Sequence, residues 1–331
     1  MIKLRTEVEL PKFKKKLGYR HQSLMIGSCF AENIGNYLQE RCLPVMVNPF
    51  GIQYNPLSIA NCLEQLMSQK NFAENDLFFA KGLYSSFAHH GRFSGPDQEA
   101  VLGQINSEAA EAYTHLKNGT HLFITFGTSW VFQHKESGKV VANCHKLPAG
   151  VFNHHRLSVD QITEIWIPLI NHLKIINPNL HLVFTVSPIR HLKNGAHENQ
   201  LSKSTLLLAI ESLIAKTGQE LISYFPSYEL VLDELRDYRF YATDMAHLSE
   251  LTTDYIREKF AETILEQEAQ SIINELDKLI QALKHRPFNP LDPGYISFIE
   301  VQFEKLEQLK LKYPFVGFNS LARKFHEKII N

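Results

Sequence analysis

The sequence predicts an α/β fold: a mainly parallel central sheet sandwiched between helices, followed by a helical C-terminal extension. Two observations predict it. Residues 122–126 (LFITF) and 182–186 (LVFTV) are strand-sized apolar runs with no polar face, the mark of strands buried on both sides. Such runs alternate with segments of helical periodicity as far as about Leu248, beyond which no strand candidate remains.

Each element follows in chain order. Residues 22–27 (QSLMIG) read as a short buried strand, and residues 29–41 as a helix with Phe30, Ile34, Tyr37 and Leu38 at helical spacing. Ser28 sits at the join, near the N-cap position. Residues 45–48 form a candidate second strand. Residues 56–69 form a helix opened by Pro56, whose missing N–H costs little in a first turn. Residues 70–96 read as a loop-rich excursion. Residues 98–117 predict a helix ended by Asn118-Gly119, and residues 121–126 a strand running into Gly127-Thr128-Ser129-Trp130. Residues 131–134 and 139–142 predict a hairpin around Glu136-Ser137-Gly138. A helix (158–176), a strand (180–186), a helix (201–216), a strand (220–224) and a short helix (227–235) follow. The tail predicts charged helices over 250–285 and 297–312, separated by Pro287, Pro290 and Pro293. The expected organisation is an α/β domain over residues 1–262 and a helical extension over 263–331.

A chain of 331 residues is long enough for a packed core without disulfides or metal. The 34 Lys and Arg are matched by 35 Asp and Glu, so the basic surplus of a nucleic-acid protein is missing. No apolar stretch approaches the ~18 residues of a membrane span. The N-terminus, MIKLRTEVEL, has no apolar core of a secretory signal. Cys29, Cys42, Cys62 and Cys144 are irregularly spaced and are expected to be reduced thiols, with the cytoplasm as default compartment. His89-His90 and His154-His155 are adjacent pairs rather than the i, i+4 arrangement of a helical zinc site. No metal and no cofactor are therefore expected. The oligomeric state is not legible.

Four segments carry candidate chemistry. At Gly27-Ser28 a serine stands at the carboxyl end of a strand and the start of a helix. Ligands bind there in open α/β sheets, and the helix N–H groups face a developing oxyanion. Serine is equally a common helix cap. In Asp244-Met245-Ala246-His247, a carboxylate three residues before a histidine can accept its Nδ1–H and leave Nε2 free as a base. The same spacing also suits a capping aspartate followed by an exposed histidine. Gly127 ends the strongest strand and can offer an N–H to an oxyanion, or simply turn the chain. Asn143-Cys144-His145-Lys146 offers a side-chain amide donor and two groups suited to an anionic substrate, or a polar turn.

The segments LMIGSCFAENIG, FITFGTSWVF, VVANCHKLP, FTVSPIRH and YFPSYELVLDELRDYRFYATDMAHLS, in that order, resemble the GSCFA family, a branch of the SGNH (GDSL-like) hydrolases. The family motif stands here as Gly27-Ser28-Cys29-Phe30-Ala31, and the resemblance covers about residues 20–260. It implies a three-layer α/β/α sandwich with a flavodoxin-like strand arrangement. It also implies Ser28 as nucleophile and Asp244 and His247 as the closing Asp-x-x-His. Gly127 falls in the Gly-x-Asn-Asp block, which reads Gly-Thr-Ser-Trp here, so the usual asparagine is missing. Asn143 is the expected substitute, beside the N–H groups of Ser28 and Gly127.

The expected function is serine esterase chemistry on a short acyl ester, an acetyl group on a carbohydrate or other small molecule, through a Ser-His-Asp acyl-enzyme. Trp130, Phe132, His145, Lys146 and Arg190 are the expected lining residues. Two rivals stand beside this reading. In one, Cys29 is the nucleophile, activated at a helix N-terminus. In the other, the chain is an inactive carbohydrate- or partner-binding module on the same fold.

Overall fold

A computed structural model describes residues 6–289 and 291–330; Met1–Arg5 of the N-terminal reading and Pro290 lie outside the described residues. The central sheet has five parallel strands in the order β10-β9-β5-β1-β2: β1 Ser23–Gly27, β2 Val45–Val47, β5 His121–Phe126, β9 His181–Val186 and β10 Ile222–Tyr224. Every residue of β1, β5 and β9 is buried. The period-2 alternation of a strand divides them between two cores. Leu24, Ile26, Leu122, Ile124, Phe126, Leu182, Phe184 and Val186 face one core, and Met25, Phe123 and Val183 face the other.

Helices α2 (Pro56–Ser68), α3 (Gln98–Asn118), α4 (Val159–Ile176) and α5 (Ala196–Thr217) close the first core. They start where the sequence supplies caps. Asn55 accepts from Ser58 N–H ahead of Pro56, and Ser158 with Gln161 forms a reciprocal capping box. Trp166 is fully buried there and its indole N–H donates to Pro56 O at 3.2 Å, so the large ring brings no unsatisfied donor into the core.

The second core lies under α1 (Cys29–Glu40) and α7 (Glu250–Ile264). The C-terminal helices α8 (Gln267–Lys284), α9 (Pro293–Lys312) and α10 (Asn319–Ile330) contribute to the same cluster through Ile272, Leu276, Ile299, Leu306, Leu321 and Phe325. Arg41, just past α1, reaches Asp277 of α8 at 2.5 Å. The result is a three-layer α/β/α arrangement with helices added on the α1 side.

The remaining elements lie outside the sheet. The hairpin β3 (Phe78–Ala80) and β4 (Leu83–Ser85) sits inside the stretch expected to be irregular. It turns on Lys81 and Gly82, both with positive φ, a turn whose twist suits a two-residue hairpin. β6 (Trp130–His134), β7 (Val140–Val141) and β8 (Phe152–Arg156) form a three-stranded antiparallel sheet. β8 was not expected: in FNHHR only Phe152 is buried, so no alternation marks it. The helix expected over 250–285 is two helices. Leu265 breaks it by pairing with Leu17, whose N–H and C=O bond Ile264 O and Glu266 N–H. After β10 come α6 (Ser227–Glu229), a π-helical turn at Leu230–Glu234 and the loop that carries Asp244.

Candidate active site at the sheet switch point

From β1 the chain moves outward to β2 and then returns across β1 to β5, so the strand order reverses between β1 and β5. A crevice opens outside the carboxyl ends at such a reversal. Ser28 follows β1 and Gly127 follows β5, which puts both at this point. Gly27 makes the approach possible. Its φ is +148°, and a Cβ there would lie 2.3 Å from Thr125 O. Ser28 then caps α1: its Oγ accepts from Phe30 N–H at 3.3 Å, and its own N–H makes only a long contact, 3.4 Å, with Thr125 O. Ser28 is 1% exposed.

A half-buried histidine stands beside this pair, with its Nε2 turned inward. The position a Cβ would take on Gly127 is 3.5 Å from Ser28 Cβ and 3.5 Å from His191 Nε2. The His191 ring meets Tyr54 edge-on at 5.6 Å, and its backbone N–H donates to Asn199 Oδ1 at 2.9 Å. His191 Nε2 is buried with no hydrogen-bond partner among the described residues. Burial, helped by the charges of Lys203 and His247, pushes the imidazole down to about 4. The His247 charge is thus felt at His191.

One face of α5 holds the floor. Asn199, Ser202 and Lys203 are all buried and lie at i, i+3 and i+4. Asn199 fixes His191, and Ser202 Oγ accepts from Ser129 N–H at 2.8 Å. Lys203 Nζ donates to Gly127 O and Ser187 O, both at 2.6 Å, and so ties together the ends of β5 and β9. Burial pushes the Lys203 ammonium down to about 7.

Asp244 and His247 form a self-contained unit. Asp244 Oδ1 accepts from Ala246 N–H at 3.0 Å and His247 N–H at 2.9 Å, and Oδ2 meets His247 Nδ1 at 2.6 Å. The loop is closed by Ala242 N–H on His247 O at 2.8 Å and bends at Met245, whose φ is positive. The backbone N–H of Ala246, followed by the His247 contacts, holds the carboxyl at about 2. Nε2 of His247 is left free by this arrangement. Among the described residues no hydrogen bond joins it to Ser28 Oγ.

A model of the GSCFA family matches residues 22–260. The chain belongs to the GSCFA family. A second model, for the GSCFA domain protein C-terminal domain, matches residues 276–331 of this GSCFA protein, the stretch that holds the second half of α8 and all of α9 and α10. No curated protein matches the chain. A solved structure of an acetyl xylan esterase (Est2A) from the rumen bacterium Butyrivibrio proteoclasticus is similar at 12% identity and a TM-score of 0.33. The likeness covers 76% of this GSCFA chain and 66% of the esterase chain.

The expected site residues fall into separate groups in the GSCFA structure. Ser28 and Gly127 come together, as do Asp244 and His247. Gly127 differs from expectation: its N–H donates to Tyr54 O at 2.8 Å, and Thr128 N–H bonds the same carbonyl at 2.9 Å. The Gly127 donor is therefore engaged in anchoring the segment before α2. Asn143 Oδ1 accepts from His145 N–H at 2.8 Å, and His145 Nε2 bonds Ser86 O at 2.8 Å. These contacts dock the 143–147 turn on the 85–89 segment, and no hydrogen bond or ion pair joins Asn143, His145 or Lys146 to Ser28 or Gly127 among the described residues. Trp130 packs on His154 at 4.6 Å, with a buried Nε1 that has no hydrogen-bond partner among the described residues. The Arg190 charge is felt at Lys203 and Tyr228, which puts it near the floor.

The thiol of Cys29 is pushed up by burial and by Glu32, the opposite of an activated thiolate. Among the described residues no helix is long and apolar enough to cross a membrane. His89 is a core histidine, stacked on Phe50 at 4.7 Å and bonded to Ser86 Oγ. Sequence reading missed His191, Tyr54 and Lys203. The available signal was the segment Asn199-Gln200-Leu201-Ser202-Lys203, with three polar residues on one face of a helix otherwise set against the core.

Proposed function

We propose that this GSCFA protein is a serine esterase of the SGNH type, with Ser28 as nucleophile, His247 as base and Asp244 as the group that orients it. The single observation that carries the reading is the Asp244–His247 unit, in which the carboxylate on Nδ1 favours the tautomer that leaves Nε2 as acceptor. His247 Nε2 takes the Ser28 hydroxyl proton as Oγ bonds the ester carbonyl carbon. The proton then passes to the leaving alcohol as its C–O bond breaks. Water, activated by the same histidine, releases the acid. Nucleophile–base contacts of this kind often form fully only once substrate is bound. A short acyl group, such as acetyl on a sugar or other small alcohol, suits a serine this buried. Trp130 and Arg190 are the proposed neighbours of the alcohol portion.

One observation favours a second reading, a binding module without turnover: Ser28 Oγ is held by Phe30 N–H rather than by a histidine. A single experiment tests both. Wild-type and Ser28→Ala protein are compared on a chromogenic acetate ester. Turnover that vanishes in Ser28→Ala supports the esterase. Equal rates for both proteins overturn it.

A further inference from the structure

We propose that His191 touches the substrate in this site, donating its Nε2–H to the carbonyl oxygen of the acyl group while Ser28 attacks the carbonyl carbon. The inference rests on the Ser28 reading above. It starts from a shortage of donors. The Gly127 N–H is bound to Tyr54 O at 2.8 Å, and Asn143 is tied to its own turn. Of the expected donors, only the Ser28 N–H remains, in its 3.4 Å contact with Thr125 O. An acyl-transfer site with one donor leaves most of the oxyanion charge unmet.

His191 supplies what is missing. Its Nε2 is buried and unpartnered, a state that costs free energy unless a bound group satisfies it. Nε2 and Ser28 Cβ each lie 3.5 Å from the point where a Gly127 side chain would begin, with Tyr54 O on the other side at 3.0 Å. The carbonyl of an ester attacked by Ser28 therefore lies beside Nε2. The ring is held from behind, by Asn199 on its backbone and by the edge of Tyr54. Donors that need no rearrangement stabilise a developing charge best.

The two histidines divide the work by their surroundings. His247 is exposed and has a carboxylate on Nδ1 at 2.6 Å, the partner that suits the proposed base. His191 has no carboxylate partner among the described residues, is shielded from water and sits in the field of Lys203, all of which oppose an imidazolium. It stays neutral and serves as a donor, not a base.

The test uses the full chain with a chromogenic acetate ester. His191→Phe keeps a ring and removes the donor, while His191→Gln places an amide N–H near the Nε2 position. Melting temperatures establish that both variants fold, with His191→Asn as the substitute if Gln does not. The expected result is a fall in kcat of about 10²–10³-fold in His191→Phe with KM changed far less. His191→Gln recovers at least tenfold of that loss, with its pH–rate limb unmoved because His247 remains the base. A His191→Phe rate within threefold of wild type overturns the proposal while leaving the nucleophile intact. So does a folded His191→Gln as inactive as Phe, which would make His191 the base. Ser28→Ala with wild-type activity overturns the nucleophile reading and this one together.

Discussion

Asp244 grips His247 at both ends: one carboxylate oxygen accepts the residue's backbone N–H at 2.9 Å and the other meets its ring Nδ1 at 2.6 Å. The imidazole is thus oriented by a group only three residues away, with no need for the rest of the fold. Asp244→Asn keeps the shape but presents an amide that can turn its N–H toward Nδ1 and favour the wrong tautomer. Esterase kcat is expected to fall about 10³–10⁴-fold with little change in melting temperature. Steady-state kinetics beside a thermal melt checks this.

The same contacts set a pH response. The folded Asp244 carboxyl is held at about 2, below its ordinary value of 3.8. A depressed carboxylate contributes stability above the unfolded value, and that contribution is lost as pH falls through the folded value. The loop is therefore expected to keep its contacts at pH 3. Carbon-detected NMR of the Asp244 side chain checks this: its midpoint should lie near 2, and should rise in His247→Ala.

Lys203 titrates with the opposite consequence. Its folded value of about 7 lies below the ordinary 10.5. Between these values the unfolded chain binds a proton that the folded chain has released, so stability rises with pH across that window. Below about pH 7 both states are protonated and the burial cost is fully present. Urea melts of wild type and Lys203→Met over this range check the sign. The variant should lose the rise, and its esterase rate should drop tenfold or more as Gly127 O and Ser187 O lose their common donor.

Gly27→Ala meets Thr125 O at 2.3 Å with φ at +148°. Strain and clash together are expected to cost at least about 2 kcal/mol, a melting-temperature drop of roughly 4–8 °C for a domain of this size. Because Ser28 is the next residue, activity should fall further than the loss of folded protein explains. Calorimetry and kinetics on the same sample separate the two effects.

Much of the fold was legible because burial on both faces leaves a plain mark: the strands at 121–126 and 181–186 contain continuous apolar stretches of strand length, and every residue in them is buried. Elements whose stability comes from partners rather than their own pattern were not legible. β8 is held by pairing with β6 while exposing Asn153 and His154. The start of α5 was set too late because Asn199, Ser202 and Lys203 look like surface residues, although they are buried against the loops after β5 and β9. The site divides in the same way. Ser28, Asp244 and His247 stand in short local motifs. Gly127 was located, but the partner of its N–H, Tyr54 O, depends on a contact 73 residues away in sequence that no motif encodes. His191 carried no local signal beyond its place five residues after a strand.

The central claim is that Ser28 is a nucleophile activated by His247. A fluorophosphonate probe followed by peptide mass spectrometry tests it most directly. The account predicts a single adduct on Ser28 in the wild type, lost in Ser28→Ala, slowed by orders of magnitude in His247→Ala and unaffected in Cys29→Ala. An adduct on Cys29, or labelling of Ser28 at full rate without His247, would contradict it.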